Sequence, residues 1–168
     1  MIQNVEGDIL LSGAELIAHG VAPHDHFDTG LARALRERWP SLVRDFRHAT
    51  HQDPLSPGDI WAWAGVDDDG HKRRIVNLIT QTELGERGSA RPGPATLQNV
   101  EHALKKLAAY AQHEKVKSLA LPRLATGVGK LEWSDVKPLV TRHLGELGIP
   151  VMVYETYRAD TQANEKLG

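Results

Sequence analysis

The chain contains no cysteine. A disulfide framework, a thiolate nucleophile and a zinc–thiolate site are therefore excluded, and the composition suits a reducing compartment. An excess of charge of one sign is missing too. Twenty Lys and Arg stand against 22 Asp and Glu, a formal net charge of −2, so no whole-molecule field draws in nucleic acid or an anionic membrane. Nowhere do about 18 apolar residues run together, and Glu6 and Asp8 interrupt the apolar stretch at the start. Neither a spanning helix nor a secretory leader is expected, and the reading is a soluble cytoplasmic protein. Internal repeats and low-complexity tracts are absent. What remains is 168 residues, 40% hydrophobic and 25% charged, enough for one buried core and too few for two ordinary domains.

The segments present alternate between strand and helix patterns. "LIAHGV" (16–21) is a short apolar run of the buried-strand kind, and "TGLARALRERW" places Leu31, Leu35 and Trp39 on one helical face. "DIWAWAGV" and "HKRRIVNLIT" read as two strands joined by the acidic turn "DDDG", with Trp61 and Trp63 sharing a face. Those two rings suit core packing, and also stacking on bases. Residues 82–94 hold three Gly and two Pro without periodicity, which predicts a lid or binding loop. Helical spacing returns over 95–113 and strand rhythm in "VKSLALPRL". "EWSDVKPLVTRHLGELG" then reads as a helix ended by Gly148, and "IPVMVYET" as a last strand. The order β, βα, ββ, α, β, α, β argues a central mixed sheet between helices, an α/β/α sandwich. Residues 1–158 form the domain, and the polar segment 159–168 is expected to be a frayed tail.

Two bends attract attention. "LPRLATGVGKLEW" (121–133) leaves a strand through small residues before a helix start, and "AHGVAPHDHFDTGLA" (18–32) also leaves a strand, turns and enters a helix, at Thr29-Gly30. The first bend exposes backbone N–H groups without side chains in the way, and phosphate is the natural guest of such a site. The first bend is no P-loop, because Leu131 follows Lys130 where Ser or Thr is required, and no third glycine completes a dinucleotide fingerprint. Taken alone it fits an anion cradle and a plain turn equally; taken together, two mouths suit a diphosphate.

The segments "VEGDIL", "AHGV", "TGLA", "NLIT" and "LPRLATGVGKLEW" come in an order and spacing that resemble a macrodomain. The resemblance is to the branch that includes terminal ADP-ribose protein glycohydrolase and the macrodomain antitoxins paired with DNA-modifying ADP-ribosyltransferase toxins, and it spans about residues 3–157. It implies the macrodomain three-layer α/β/α sandwich with a central mixed sheet, and an ADP-ribose site. In that site Asp8 would accept from the adenine amino group and Ile9 would pack on the base. Thr29, Gly30 and Leu31 would line one side of the diphosphate, and Ala125, Thr126, Gly127, Val128 and Gly129 the other. His19, Gly20, Val21 and Ala22 would run beside the distal ribose, with Thr156 and Tyr157 at the adenine rim.

The departures concern the chemistry. Where the hydrolase branch often carries a catalytic Lys this chain has Gln81, and where the human-type enzyme has Asp it has Gly129. An amide is neither a Schiff-base nucleophile nor a proton acceptor, so a lysyl covalent route is excluded at that position. Gln81 is the expected catalytic residue, aiming water at C1″ of the distal ribose. Glu83 and the cluster His24, Asp25 and His26 are candidates for proton help. Two histidines two residues apart without a third spaced ligand do not make a metal site, and none is expected. The implied activity is hydrolytic removal of ADP-ribose from DNA bases or protein Glu/Asp, without a cofactor; the alternative is a non-catalytic ADP-ribose reader. The implied partners are ADP-ribose, ADP-ribosylated DNA or protein, and a cognate ADP-ribosyltransferase system, with no membrane. A monomer is expected. Lys72, Arg73 and Arg74 on the hairpin, and Arg87 and Arg91 in the loop, offer local positive charge to a nucleic-acid backbone.

Overall fold

The computed structural model describes residues 1–66, 70, 72–85 and 91–168. Its main sheet has six strands: β1 (Ile2–Gly7), β2 (Leu16–Val21), β3 (Ile60–Val66), β4 (Lys72–Ile79), β7 (Leu119–Pro122) and β8 (Val151–Tyr157), in the order β1-β8-β7-β2-β4-β3. All neighbours pair in parallel except β3, which runs antiparallel to β4 as the sequence-predicted hairpin partner. The acidic turn at 67–69 and Arg87 lie outside the described residues.

Strand alternation decides the layers, since successive side chains point to opposite faces. Leu16, Ala18, Val76, Leu78, Leu119, Leu121, Val151 and Val153 face one core, which is covered by α3 (Leu97–His113) and α4 (Trp133–Leu144). On the opposite face, Val21, Ile75 and Ile79 meet α1 (Gly30–Arg38) and α2 (Pro40–Gln52). Beside them Ile17, Ala120, Met152 and Tyr154 pack under a single 3-10 turn, Ile9–Leu11. Trp61 and Trp63 both belong to the α1/α2 core. Trp63 Nε1 donates to Asp45 at 2.8 Å, and Trp61 meets Phe46 edge-on at 5.6 Å. They are packing residues.

The structure departs from the sequence reading in four places. Helix α2 does not appear in that reading; Pro40 stands at its first turn, where a missing N–H costs nothing. The expected loop 82–94 begins and ends as an antiparallel ribbon, β5 (Gln81–Glu83) with β6 (Pro92–Ala95). Helix α4 ends at Leu144 with Gly145 as its cap, and Gly148 (φ +74°) turns the chain afterwards. The polar C-terminal segment is docked rather than frayed. Arg158 N–H donates to Gly7 and Asp8 N–H to the Thr161 carbonyl (2.7 Å), while Gln3 exchanges two hydrogen bonds with Lys166. Its many polar groups find fixed partners along β1, which offsets the lack of apolar area.

Candidate functional site

Because five strands run parallel, their carboxyl ends share one edge of the sheet. Asp8 follows β1, Ala22 follows β2, Gln81 lies just beyond β4, Arg123 follows β7 and Tyr157 closes β8. In such sheets ligands sit beyond the carboxyl ends. A cleft opens there in two parts that share Gly30, Leu31 and Pro122. The apolar part, about 430 Å³, is walled by Ile9, Leu10, Ala34, Tyr154 and Tyr157. The polar part, about 180 Å³, is lined by His19, Gly20, Asp25, Thr29, Gln81 and the turn from Arg123 to Gly129. The two together fall in the range of roughly 300–1,000 Å³ typical of small-molecule clefts.

The polar part is bounded by two rows of backbone amides. On one side helix α1 begins without a side-chain cap: Thr29 makes none, and its first turn carries no acidic residue. Gly30 enters that turn at φ +58° with open space where a Cβ would stand, so the first N–H groups of the helix and its dipole face the cleft. Opposite, residues 125–129 form a compact turn closed by Lys130 N–H to Gly127 O (3.0 Å) and Leu131 N–H to Ala125 O (2.9 Å). Helix α4 starts only at Trp133. The second mouth is therefore a turn of free amides, and the helix follows it at Trp133, with Glu132 as its cap, where the sequence reading begins it. Among the described residues no hydrogen bond uses the N–H groups of residues 125–129. Ala125 holds φ +62°, a left-handed conformation unusual for a side chain with a Cβ.

At the inner end Gln81 is buried, and its Nε2 donates to the Gly93 carbonyl across the ribbon at 3.2 Å. This leaves Oε1 as the acceptor of that amide. His19 is 2% exposed, bonded through Nε2 to Asn77 Oδ1 at 2.6 Å and edge-on to Phe27 at 5.6 Å. Burial holds its pKa down to about 4, with the Asn77 bond opposing, so the ring is neutral at pH 7. Asp25, also buried, accepts from Ala22 N–H (3.0 Å) and Phe27 N–H (2.8 Å). Burial pushes its carboxyl above the usual range, against those two bonds. His24 instead turns to Glu83, Nδ1 to Oε1 at 2.7 Å, which ties the 22–29 loop to the ribbon. His26 is exposed. The cluster thus splits among separate partners.

Most of the sequence-predicted residues meet here, though not all. Val21 and Ala22 are fully buried, Val21 within the α1/α2 core. Thr126 gives its hydroxyl to the Arg123 carbonyl, and Thr156 pairs with Glu6 in the sheet while its neighbour Tyr157 lines the apolar part. Asp8 caps the 3-10 turn, with Oδ1 accepting from Leu10 N–H at 3.0 Å and Oδ2 from Asp160 N–H at 3.0 Å. The basic run 72–74 opens β4, at the strand end opposite the cleft and so about 17–23 Å away. Sequence reasoning missed Tyr154 and Asn77. Tyr154 was detectable from the alternation of β8, which puts it on the face of Met152.

The Macro domain family matches residues 27–140. A Thermosipho africanus protein named DNA ADP-ribosyl transferase-DNA ADP-ribosyl glycohydrolase fusion protein is 29% identical over 157 residues, covering 89% of this chain and 40% of that protein. The chain thus spans well under half of this relative's length. Among solved structures, the macrodomain of Thermus aquaticus DarG superposes with a TM-score of 0.77 at 27% identity, covering 92% of this chain and 98% of that one. Thermosipho africanus DarTG in complex with ADP-ribose gives 0.79 at 25%, covering 96% and 42%. Among the described residues no helix is long and apolar enough to cross a membrane.

Proposed function

The chain belongs to the Macro domain family, and from that premise we propose that it binds ADP-ribose in this cleft and removes it hydrolytically from modified DNA bases. The observation that carries the reading is the pair of amide rows, at the start of α1 and over 125–129, facing each other beside an apolar chamber. A diphosphate between them accepts N–H bonds from both sides, the adenine ring fills the chamber by Asp8 and Ile9, and the distal ribose reaches Gly20 and Gln81. The relatives' names, one of them a fusion with a DNA ADP-ribosyl transferase, agree with a DNA substrate and with a cognate transferase.

In the reaction, water adds to C1″ as the bond from C1″ to the leaving base breaks. The bonding pair departs with the base, which takes up the proton that water gives up. The transition state is oxocarbenium-like, so the negative diphosphate stabilises it through space. Gln81 Oε1 accepts a hydrogen bond from the water and fixes its line of attack; the amide itself takes no proton. A reader without turnover is the second reading, favoured by one observation: both oxygens of Asp25, the carboxylate at this end, are occupied by backbone N–H groups. The test is release of free ADP-ribose from an oligonucleotide carrying an ADP-ribosylated base, with a peptide ADP-ribosylated on Glu as comparator. Release from DNA supports the hydrolase. Binding of ADP-ribose without release from either substrate establishes the reader.

A further inference from the structure

The apolar chamber has two walls that come from distant parts of the chain, and one carboxylate holds both. The 3-10 turn supplies Ile9 and Leu10, and β8 supplies Tyr154. Glu165, in the docked C-terminal segment, accepts from Ser12 Oγ at 2.6 Å and Gly13 N–H at 2.8 Å, immediately after that turn. The same carboxylate accepts from Tyr154 OH at 2.8 Å. Ser12 and Tyr154 are 1% and 5% exposed, so their two hydroxyl bonds to Glu165 are partly shielded from competing water, while the Gly13 bond lies at the surface. The segment also reaches the start of the turn, where Asp160 N–H bonds Asp8 Oδ2 and Asp8 N–H bonds the Thr161 carbonyl. Ala163 packs on the core beneath, and a Cβ on Gly7 would strike Thr161 and Ala163. The turn is therefore pinned at both ends by residues 160–165.

We propose that Glu165 is a positioning residue for the nucleotide base: it sets the spacing between the Ile9–Leu10 wall and the Tyr154 ring, and with it the orientation of the Asp8 carboxylate. Residues 159–168 are on this account part of the binding domain. The proposal rests on the assignment of the chamber to adenine. Its chemistry is specific. A carboxylate can accept from three donors at once, whereas the amide introduced by Glu165→Gln would offer one acceptor oxygen and turn an N–H₂ toward the other donors. Loss of the brace loosens the base end of the cleft and leaves Gln81 and the 125–129 turn, at the other end, in place.

The experiment is calorimetric titration of wild type, Glu165→Gln and Glu165→Ala with ADP-ribose and with its inosine analogue, which lacks the 6-amino donor that Asp8 would accept. Wild type is expected to prefer ADP-ribose about tenfold. Glu165→Ala is expected to weaken ADP-ribose about tenfold and to bring the preference close to one, with Glu165→Gln in between. Unchanged affinity and preference in Glu165→Ala, or an equal loss for both ligands with the preference kept, overturns the proposal. If Glu165→Ala does not fold, Tyr154→Phe, which removes only the hydroxyl, carries the test with an expected loss of about threefold. Failure of the wild type to bind ADP-ribose at all overturns the functional reading itself, a result distinct from normal binding by the variants.

Discussion

His19 donates its Nε2 proton to Oδ1 of Asn77 over 2.6 Å, and the direction is fixed because Asn77 Nδ2 donates in turn to the Trp61 carbonyl at 3.1 Å. The imidazole is therefore a neutral tautomer with its lone pair on Nδ1. A ring at the cleft's inner end is thereby tied through the sheet to the β3 edge strand.

This burial makes stability depend on pH. His19 has a folded pKa of about 4 against an ordinary 6.5, because burial penalises its charged form. The unfolded chain takes up a proton that the folded one refuses, so stability falls as pH drops from about 6.5 to about 4, by up to ~3 kcal/mol. His19→Gln should show a shallower fall of melting temperature than wild type across that window. Equal slopes would remove His19 as the cause.

Gln81→Ala separates chemistry from binding. The variant loses the water-orienting oxygen and the link to Gly93, while the amide rows that hold the diphosphate remain. Single-turnover release of ADP-ribose should drop about 100-fold, with Kd changed by less than about threefold. Unaltered release would take Gln81 out of the mechanism.

Gly129→Asp would introduce the carboxylate that the family resemblance leads one to expect at this position, yet it should not add turnover. A Cβ at 129 would lie 2.6 Å from the Ala125 carbonyl oxygen and 2.9 Å from its Cα. Backbone on both sides must move, at a cost of about 1–3 kcal/mol. ADP-ribose affinity should fall about tenfold or more, and a gain in turnover would contradict this packing.

Thr29→Asp should move stability and binding in opposite directions. A carboxylate at the uncapped start of α1 caps its free N–H groups and meets the positive end of the dipole, raising stability by about 0.5–1 kcal/mol. It also occupies the amides offered to a diphosphate. A higher melting temperature with weaker ADP-ribose binding is expected; tighter binding would rule out this anion site.

The elements with periodic patterns were legible in the sequence. Leu16 and Ala18 against Ile17 and His19 announce β2 and its two faces, and Leu31 and Leu35 announce α1. Helix α2 was hidden because Pro40 reads as a stop, although Leu42, Val43, Phe46 and Thr50 carry helical spacing. The bend over 121–133 was visible as a run of small residues and the one over 18–32 as a strand turning into a helix at Thr29-Gly30, and the family order placed them at one cleft. Polar partnerships were not visible. Glu165 with Ser12, Gly13 and Tyr154, or His19 with Asn77, join residues 11 to 153 positions apart, and no local pattern marks which buried donor will find which acceptor.

The uniform direction of β1, β8, β7, β2 and β4 divides labour within the chain. Strand interiors hold the molecule together, and the segments that leave β8, β7, β2 and β4 for the cleft hang from strands already paired on both sides. The β5–β6 pair can accordingly be lengthened, shortened or rewritten without disturbing a single rung of the main ladder. Evolution is free to retune what this crevice accepts while the frame beneath stays as it is.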